Sequence, residues 1–191
     1  MASETDHTVK NKYMMYKLVI IGLLTLAGIF YFQKAKAQFP KTGSCKNPAF
    51  DQKVNGYLSY SAPVMDVDDA YDKQNEFVFL DAREIEEFKV SHIKGAKHIG
   101  YDDFTLSSVS QIPKNKKIIV YCSIGYRSEK IANKLRKAGY QQTYNLYGSI
   151  FEWVNRGYPV FSGGQEIKKV HTYNEKWGKW VSNKNFEKVY K

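Results

Sequence analysis

Residues 118–128 have the sequence Ile-Ile-Val-Tyr-Cys-Ser-Ile-Gly-Tyr-Arg-Ser, in which four β-prone residues lead into Cys122. A turn around Gly125 follows, and apolar residues then recur at helical spacing over residues 129–139. Ser128 is typical of a helix N-cap, and the glycine that ends the segment is typical of a helix C-terminus. The pattern predicts a strand, a tight loop and a helix, with the thiol where the strand becomes the loop.

This loop has the composition of an anion site with a nucleophile in it. A loop that turns back into a helix N-terminus directs several backbone N–H groups at one point and favours negative charge there. Such surroundings lower the pKa of a thiol, because the thiolate is the favoured form. A cysteine at a strand end can also be a buried small hydrophobe. Gly125 and Arg127 favour the nucleophile, because the glycine permits the turn and the arginine adds a cation.

Four segments of the chain, in the right order and spacing, resemble the rhodanese (sulfurtransferase) domains. Residues 122–128 resemble the family's Cys-x-x-Gly-x-Arg-Ser loop, and residues 79–83, Phe-Leu-Asp-Ala-Arg, resemble its Leu-Asp-x-Arg strand end. Residues 91–99 resemble its Gly-His-Ile-x-Gly-Ala-x-x-Ile segment. The closing segment is similar at 146–149 (Leu-Tyr-Gly-Ser), Trp153 and 157–160 (Gly-Tyr-Pro-Val). The likeness covers about residues 60–161.

The resemblance implies an α/β fold of three layers, with a central parallel sheet flanked by helices. Strands that alternate with helices along the chain predict the same parallel sheet. The implied activity moves sulfane sulfur from thiosulfate or a similar donor to a thiol, cyanide or protein acceptor, through a persulfide on Cys122. The implied substrate- and anion-binding residues are Ser123, Ile124, Gly125, Tyr126, Arg127 and Ser128.

Two alternatives to sulfur transfer can be compared with the sequence of the loop. Protein tyrosine phosphatases place five residues between cysteine and arginine, whereas four separate Cys122 from Arg127, which argues against phosphatase or arsenate chemistry. A binding or sulfur-sensing module without turnover is the other alternative, although such modules often lack the cysteine. Ser123 and Ile124 match neither the basic loop of many thiosulfate enzymes nor the Gly-Ser-Gly type loop of mercaptopyruvate enzymes, so the donor stays open.

Asp81 and Arg83 follow a predicted strand at the edge of the sheet where ligands approach. The resemblance favours a supporting role for both, with Asp81 bonded to nearby backbone and Arg83 in an ion pair. It also makes His92 structural, since a thiolate stabilised by its loop needs no general base. No cluster of histidine, cysteine and acidic residues has metal spacing, so neither a metal nor a cofactor is expected.

Residues 1–37 have the pattern of an export segment. Residues 18–32 contain no charge, three lysines precede them, and Ala35-Lys36-Ala37 follows as a small-x-small site. This pattern predicts a signal peptide cleaved after Ala37 and a periplasmic or secreted domain. The alternative is an uncleaved membrane anchor through 18–32, although fifteen residues are fewer than the roughly 20 of a usual transmembrane helix.

The chain carries 29 basic and 19 acidic residues, a net charge of +10. Its lysines are spread over the whole length, which indicates a solvated basic surface, and no nucleic-acid partner is expected.

Residues 38–59 contain prolines and glycines without periodicity and are interpreted as a linker or lead-in. Cys45, in this segment, is expected to be a free thiol, with a disulfide to Cys122 as the alternative. The basic, aromatic extension 162–191 is expected to pack on the domain as a hairpin or strand with Gly178 at the turn, and binding to nucleic acid or a membrane surface is the alternative.

Overall fold

The computed structural model describes residues 14–19, 21 and 38–190. The chain divides into two units, Met1–Ala37 and Gln38–Lys191. In the first unit, residues 14–19 and 21 are helical, while most of the predicted signal and its cleavage site lie outside the described residues. Among the residues that are described, no helix has the length and apolar character needed to span a bilayer.

The second unit alternates helices and strands along most of its length. Its α-helices are α1 (Pro48–Tyr57), α2 (Val67–Asp72), α3 (Ile85–Val90), α4 (Tyr126–Lys137), α5 (Ser149–Asn155) and α6 (Glu175–Gly178). Its strands are β1 (Val64–Met65), β2 (Phe77–Asp81), β3 (Lys97–His98), β4 (Lys117–Tyr121), β5 (Thr143–Leu146), β6 (Val160–Ser162), β7 (Gln165–Ile167), β8 (Lys169–His171) and β9 (Glu187–Val189). Short 3-10 helices span Gln74–Glu76 and Leu106–Val109.

Five parallel strands form the central sheet in the order β1-β5-β4-β2-β3. The middle strand β4 is buried on both faces, as strands of parallel sheets are. Ile119 and Tyr121 join one core cluster, and Ile118 and Val120 join the other, because successive side chains point to opposite faces. The predicted α/β fold, with a parallel sheet between helices, is confirmed. Cys122 follows β4 directly and therefore lies at the carboxyl edge of the sheet.

The segment interpreted as a linker contains helix α1, so that interpretation was wrong for residues 48–57. The side chain of Asn47 caps the helix, accepting the N–H groups of Ala49 and Phe50 at 2.9 and 3.3 Å. Pro48 lies in the first turn, where its missing N–H costs nothing. Phe50 and Val54 are fully buried in the larger core cluster. Pro48 therefore marks the start of a helix rather than a break in a linker. Two buried side chains are too few to give a recognisable helical period of apolar residues in the sequence.

The C-terminal extension packs against the rest of the second unit. Strands β6 and β7 form an antiparallel hairpin, and β8 and β9 pair in parallel. Val181 and Phe186 are buried in the same cluster as Phe50, whose ring stacks on that of Trp180 with centroids 5.6 Å apart. The predicted hairpin turn at Gly178 was misplaced, because Gly178 ends α6 and the tight turn is formed by Gly163 and Gly164, both with positive φ.

Helix α1 should contribute to the stability of the whole second unit. We expect Phe50→Ala to lower the free energy of unfolding by about 3–5 kcal/mol, because it leaves a cavity between α1, α5 and the extension. Gln52→Ala, at an exposed position of the same helix, should change it by less than about 0.5 kcal/mol. Urea denaturation followed by circular dichroism measures both, and equal small effects would show that α1 is not part of the core.

Candidate active site

Hydrogen bonds to the start of helix α5 hold the loop that follows β4. The backbone N–H of Cys122 donates to Oγ of Ser149 at 3.1 Å, and its carbonyl accepts the N–H of Ile150 at 3.2 Å. The carbonyl of Ser123 accepts the N–H of Phe151 at 3.2 Å. The first N–H groups of a helix have no partner within the helix, so these loop carbonyls satisfy them. The same bonds fix the position of the cysteine.

Helix α4 begins at Tyr126, three residues earlier than the sequence predicted. Its N-cap is Gly125, which has a φ of +114°, a left-handed conformation that glycine adopts readily. Ser128 is therefore not the cap but lies in the first turn, with its Oγ 2.7 Å from Oδ1 of Asn145 and 3.4 Å from Sγ of Cys122. Asn145 in turn donates to the carbonyl of Gly125 at 3.1 Å. The earlier start brings the helix N-terminus to the sulfur.

The sulfur of Cys122 is buried, with the residue 1% exposed, and receives the N–H of Gly125 at 3.2 Å. Burial alone would raise the pKa of this thiol. The positive charge of Arg127 and the hydrogen bonds from Ser128 and Gly125 outweigh burial and hold the pKa of Cys122 below its ordinary value. The geometry thus favours a thiolate that is shielded from bulk water.

Arg127 is oriented by a buried carboxylate that the sequence analysis did not single out. Nη1 of Arg127 donates to Oε2 of Glu87 at 2.9 Å, and Nη2 donates to Oε1 at 3.1 Å. Nη2 also donates to Oγ of Ser123 at 3.0 Å, and Glu84 lies 3.5 Å from Nη1. Burial would raise the pKa of Glu87, but the hydrogen bonds and charge of Arg127 keep it below the usual value. The pair therefore stays ionised.

Asp81 and Arg83 form a fully buried ion pair away from the open side of the loop. Nη2 of Arg83 donates to Oδ2 of Asp81 and to the carbonyl of Ser91, each at 2.6 Å. Oδ1 of Asp81 accepts the backbone N–H of Arg83 at 2.9 Å. The ring of His92 stacks on Phe88 with centroids 4.1 Å apart. These contacts connect the segments that follow β2 and α3.

A pocket of about 400 Å³ opens over Cys122. Four of the predicted binding residues line it, namely Ser123, Ile124, Tyr126 and Arg127. Gly125 and Ser128 are not part of the lining but form hydrogen bonds with the sulfur of Cys122. The remaining lining residues are Tyr57, Glu84, Tyr101, Asp102, Tyr173 and Trp177. Three of these lie outside residues 60–161, and no local pattern in the sequence connects them with the loop.

The second thiol, Cys45, lies elsewhere in the core. Both cysteines are free and buried, so the disulfide considered as an alternative is not formed. Burial, followed by the charges of Glu152 and Asp51, raises the pKa of Cys45, the opposite of the effect at Cys122. The two thiols are therefore chemically distinct. Within the described residues, no group of three or more histidine, cysteine or acidic side chains could hold a metal ion.

Comparison with known proteins agrees with this geometry. Residues 66–156 match the model of the Rhodanese-like domain family. Similar curated proteins are the tRNA uridine(34) hydroxylases of Cronobacter sakazakii, 29% identical over 72% of this chain and 40% of the relative, and of Erwinia tasmaniensis, 32% identical over 56% and 32%. The chain thus spans about two fifths or less of the length of these relatives.

A solved structure with a similar fold is the thiosulfate sulfurtransferase of Pseudomonas aeruginosa. It has a TM-score of 0.51 and 20% identity and covers 68% of this chain and 26% of that protein. At this identity the likeness concerns the fold. The family match and the loop around the cysteine agree with one another: residues 66–156, just under half of this chain, are similar to a rhodanese-like domain.

Proposed function

We propose that the protein is a sulfurtransferase that carries sulfane sulfur as a persulfide on Cys122. The observation that carries the proposal is the buried sulfur, which receives hydrogen bonds at the start of α4 and has the guanidinium of Arg127 beside it. These groups favour an anion at the sulfur. A thiolate and the terminal sulfur of a persulfide are both such anions.

The transfer proceeds in two balanced steps. The thiolate of Cys122 attacks the outer sulfur of the donor, and the donor's S–S bond breaks with its electron pair leaving on the remaining fragment, which is sulfite when the donor is thiosulfate. A thiol, cyanide or protein acceptor then attacks the outer sulfur of the persulfide and releases the thiolate. A covalent intermediate between the two substrates predicts ping-pong kinetics.

The names of the relatives favour a second candidate function, in RNA modification. They are named for action on a tRNA uridine, which is at odds with the expectation that this chain has no nucleic-acid partner. The net charge of +10 is compatible with an RNA partner. Sulfur transfer remains the first proposal because it accounts for the groups that favour a thiolate at Cys122, whereas neither the names of the relatives nor the net charge involves that thiol.

Export of the domain, with residues 1–37 as signal or anchor, is a further part of the proposal. In the organism that produces it, we expect the mature protein to begin at Gln38 if the signal is cleaved, or to sediment with membranes if it is not. N-terminal sequencing and fractionation of cells distinguish these two outcomes. An uncleaved chain in the soluble cytoplasmic fraction would contradict both.

The persulfide can be detected directly by intact mass. After incubation with thiosulfate or inorganic polysulfide, we expect the protein to gain the mass of one sulfur atom and to lose it with cyanide. Cys122→Ser should gain nothing, whereas Cys45→Ser should behave as the wild type, because the raised pKa of Cys45 keeps that thiol protonated. A wild-type protein that is alkylated at Cys122 but never gains sulfur would refute sulfur transfer.

Removal of the cation beside the sulfur should make the thiol less acidic. We expect the midpoint of the pH profile for iodoacetamide alkylation of Cys122 to lie below that of an ordinary thiol, and to move to higher pH in Arg127→Gln. Lys137→Gln removes the same charge from the exposed far end of α4 and should leave the midpoint unchanged. Equal profiles for the wild type and Arg127→Gln would show that the charge of Arg127 does not act on the sulfur.

A further inference from the structure

The mouth of the pocket carries aromatic side chains that the core does not bury. Tyr57, Tyr126 and Tyr173 are 39%, 40% and 57% exposed, and together with the partly buried Trp177 they line the pocket. We call these four residues the aromatic rim. They come from α1, from the first turn of α4 and from the extension, so only the folded chain brings them together. Exposed apolar groups that cluster in this way commonly mark a binding site.

The ring of Tyr57 lies beside two other rings of the rim. The centroid of the Tyr57 ring lies 6.0 Å from that of Tyr126 and 5.7 Å from that of Trp177, with tilted or edge-on planes. Lysine side chains already lie over the rings of Tyr57 and Tyr126, with Nζ of Lys53 and Lys130 at 5.0 and 4.2 Å from the centroids. Tyr173 is the most exposed ring of the four and so offers the most open surface for stacking.

The charges of the pocket do not favour a small, highly charged donor. Among the described residues that line the pocket, Arg127 is the only cation; it is paired with Glu87 at 2.9 Å and lies 3.5 Å from Glu84. Asp102 adds another carboxylate to the lining. These four side chains together carry one positive and three negative formal charges, and the loop residues Ser123 and Ile124 add none. Lys53 and Lys130, which lie over the rings of Tyr57 and Tyr126, add two positive charges, so the charges around the mouth balance. A dianion such as thiosulfate therefore meets no net positive charge at the mouth of the pocket.

We propose that the aromatic rim selects sulfur donors whose leaving group carries a flat ring, as in an aromatic thiosulfonate, where the sulfane sulfur is bonded to the sulfonyl sulfur that the ring carries. The inference rests on the proposed sulfurtransferase function and names its substrate class. With an aromatic thiosulfonate, the Cys122 thiolate attacks the outer sulfur, the S–S bond breaks, and the aromatic sulfinate leaves with the bonding pair. The persulfide anion and the sulfinate together carry the two charges that the thiolate and the donor brought.

Two donors with the same reacting group isolate the contribution of the ring. Benzenethiosulfonate and methanethiosulfonate are both monoanions and differ only in the phenyl or methyl group. With the full-length protein and cyanide as acceptor, we expect kcat/KM to be about three- to tenfold higher for the phenyl compound, the range of one or two aromatic contacts. Tyr173→Ala should lower kcat/KM for the phenyl donor by about threefold or more, and lower it less for the methyl donor, which has no ring to stack on Tyr173.

Control variants separate stacking from effects on folding. Tyr190→Ala removes another exposed tyrosine of the extension that does not line the pocket, and it should change neither rate. Trp177→Phe keeps a ring in place and should retain a preference for the phenyl donor. Equal kcat/KM values for the two donors in the wild type, or equal losses for both donors in Tyr173→Ala, would overturn the proposal.

A binding measurement distinguishes failure of the rim from failure of sulfur transfer. Benzenesulfinate and methanesulfinate carry no transferable sulfur, so protection of Cys122 from iodoacetamide reports their binding alone. We expect protection by benzenesulfinate at concentrations about three- to tenfold lower than by methanesulfinate, and loss of this difference in Tyr173→Ala. If no donor yields a persulfide but this difference is present, the proposed activity is wrong and the rim stands. If the sulfinates protect equally, the rim proposal is wrong.

Discussion

The site depends on one backbone conformation, the positive φ of Gly125. It lets the chain turn into α4 directly after the loop, so that the N–H of Gly125 reaches the sulfur at 3.2 Å and Arg127 falls in the first turn of the helix. A Cβ at this position would meet its nearest neighbours at 3.5 Å, which is ordinary contact. The requirement for glycine is therefore conformational rather than steric, since other residues are strained at such a φ.

Two buried carboxylates hold the start of α4. Glu87 of α3 pairs with Arg127, and Glu129 of α4 accepts four hydrogen bonds from the backbone and side chains of Ser59 and Ser61. A buried charge is costly unless it is paired and bonded in this way. Loss of a partner would leave an unpaired charge in the interior. The arrangement thus makes any other position of the helix unfavourable and keeps the thiolate surroundings preorganised.

The strand, loop and helix around Cys122 were predictable because the residues that specify them are close together in the sequence. The apolar run of β4, the cysteine and the turn are adjacent in sequence, and resemblance supplied the order of the other segments. The start of α4 was misplaced because both Gly125 and Ser128 suit a cap, and only the backbone angles decide between them. Glu87 was missed because an acid in the first turn of a short helix is already explained by the helix dipole. Tyr57 and Trp177 were out of reach, because their proximity to the loop is purely tertiary.

The proposed sulfur chemistry and the proposed selection of donors use different parts of the chain. The family match covers residues 66–156, which include the cysteine, the loop, Glu87 and Arg127. Tyr57, Tyr173 and Trp177 lie on either side of that range, in α1 and in the extension. The groups that touch the sulfur lie within the matched residues, although Ser59 and Ser61, outside them, hold Glu129. Changes at the rim that leave these two serines in place can therefore alter the mouth of the pocket without changing the groups around the sulfur. The segments that resemble a linker and a tail in the sequence thus supply three of the four rings of the rim, while the matched residues supply the sulfur and the groups around it.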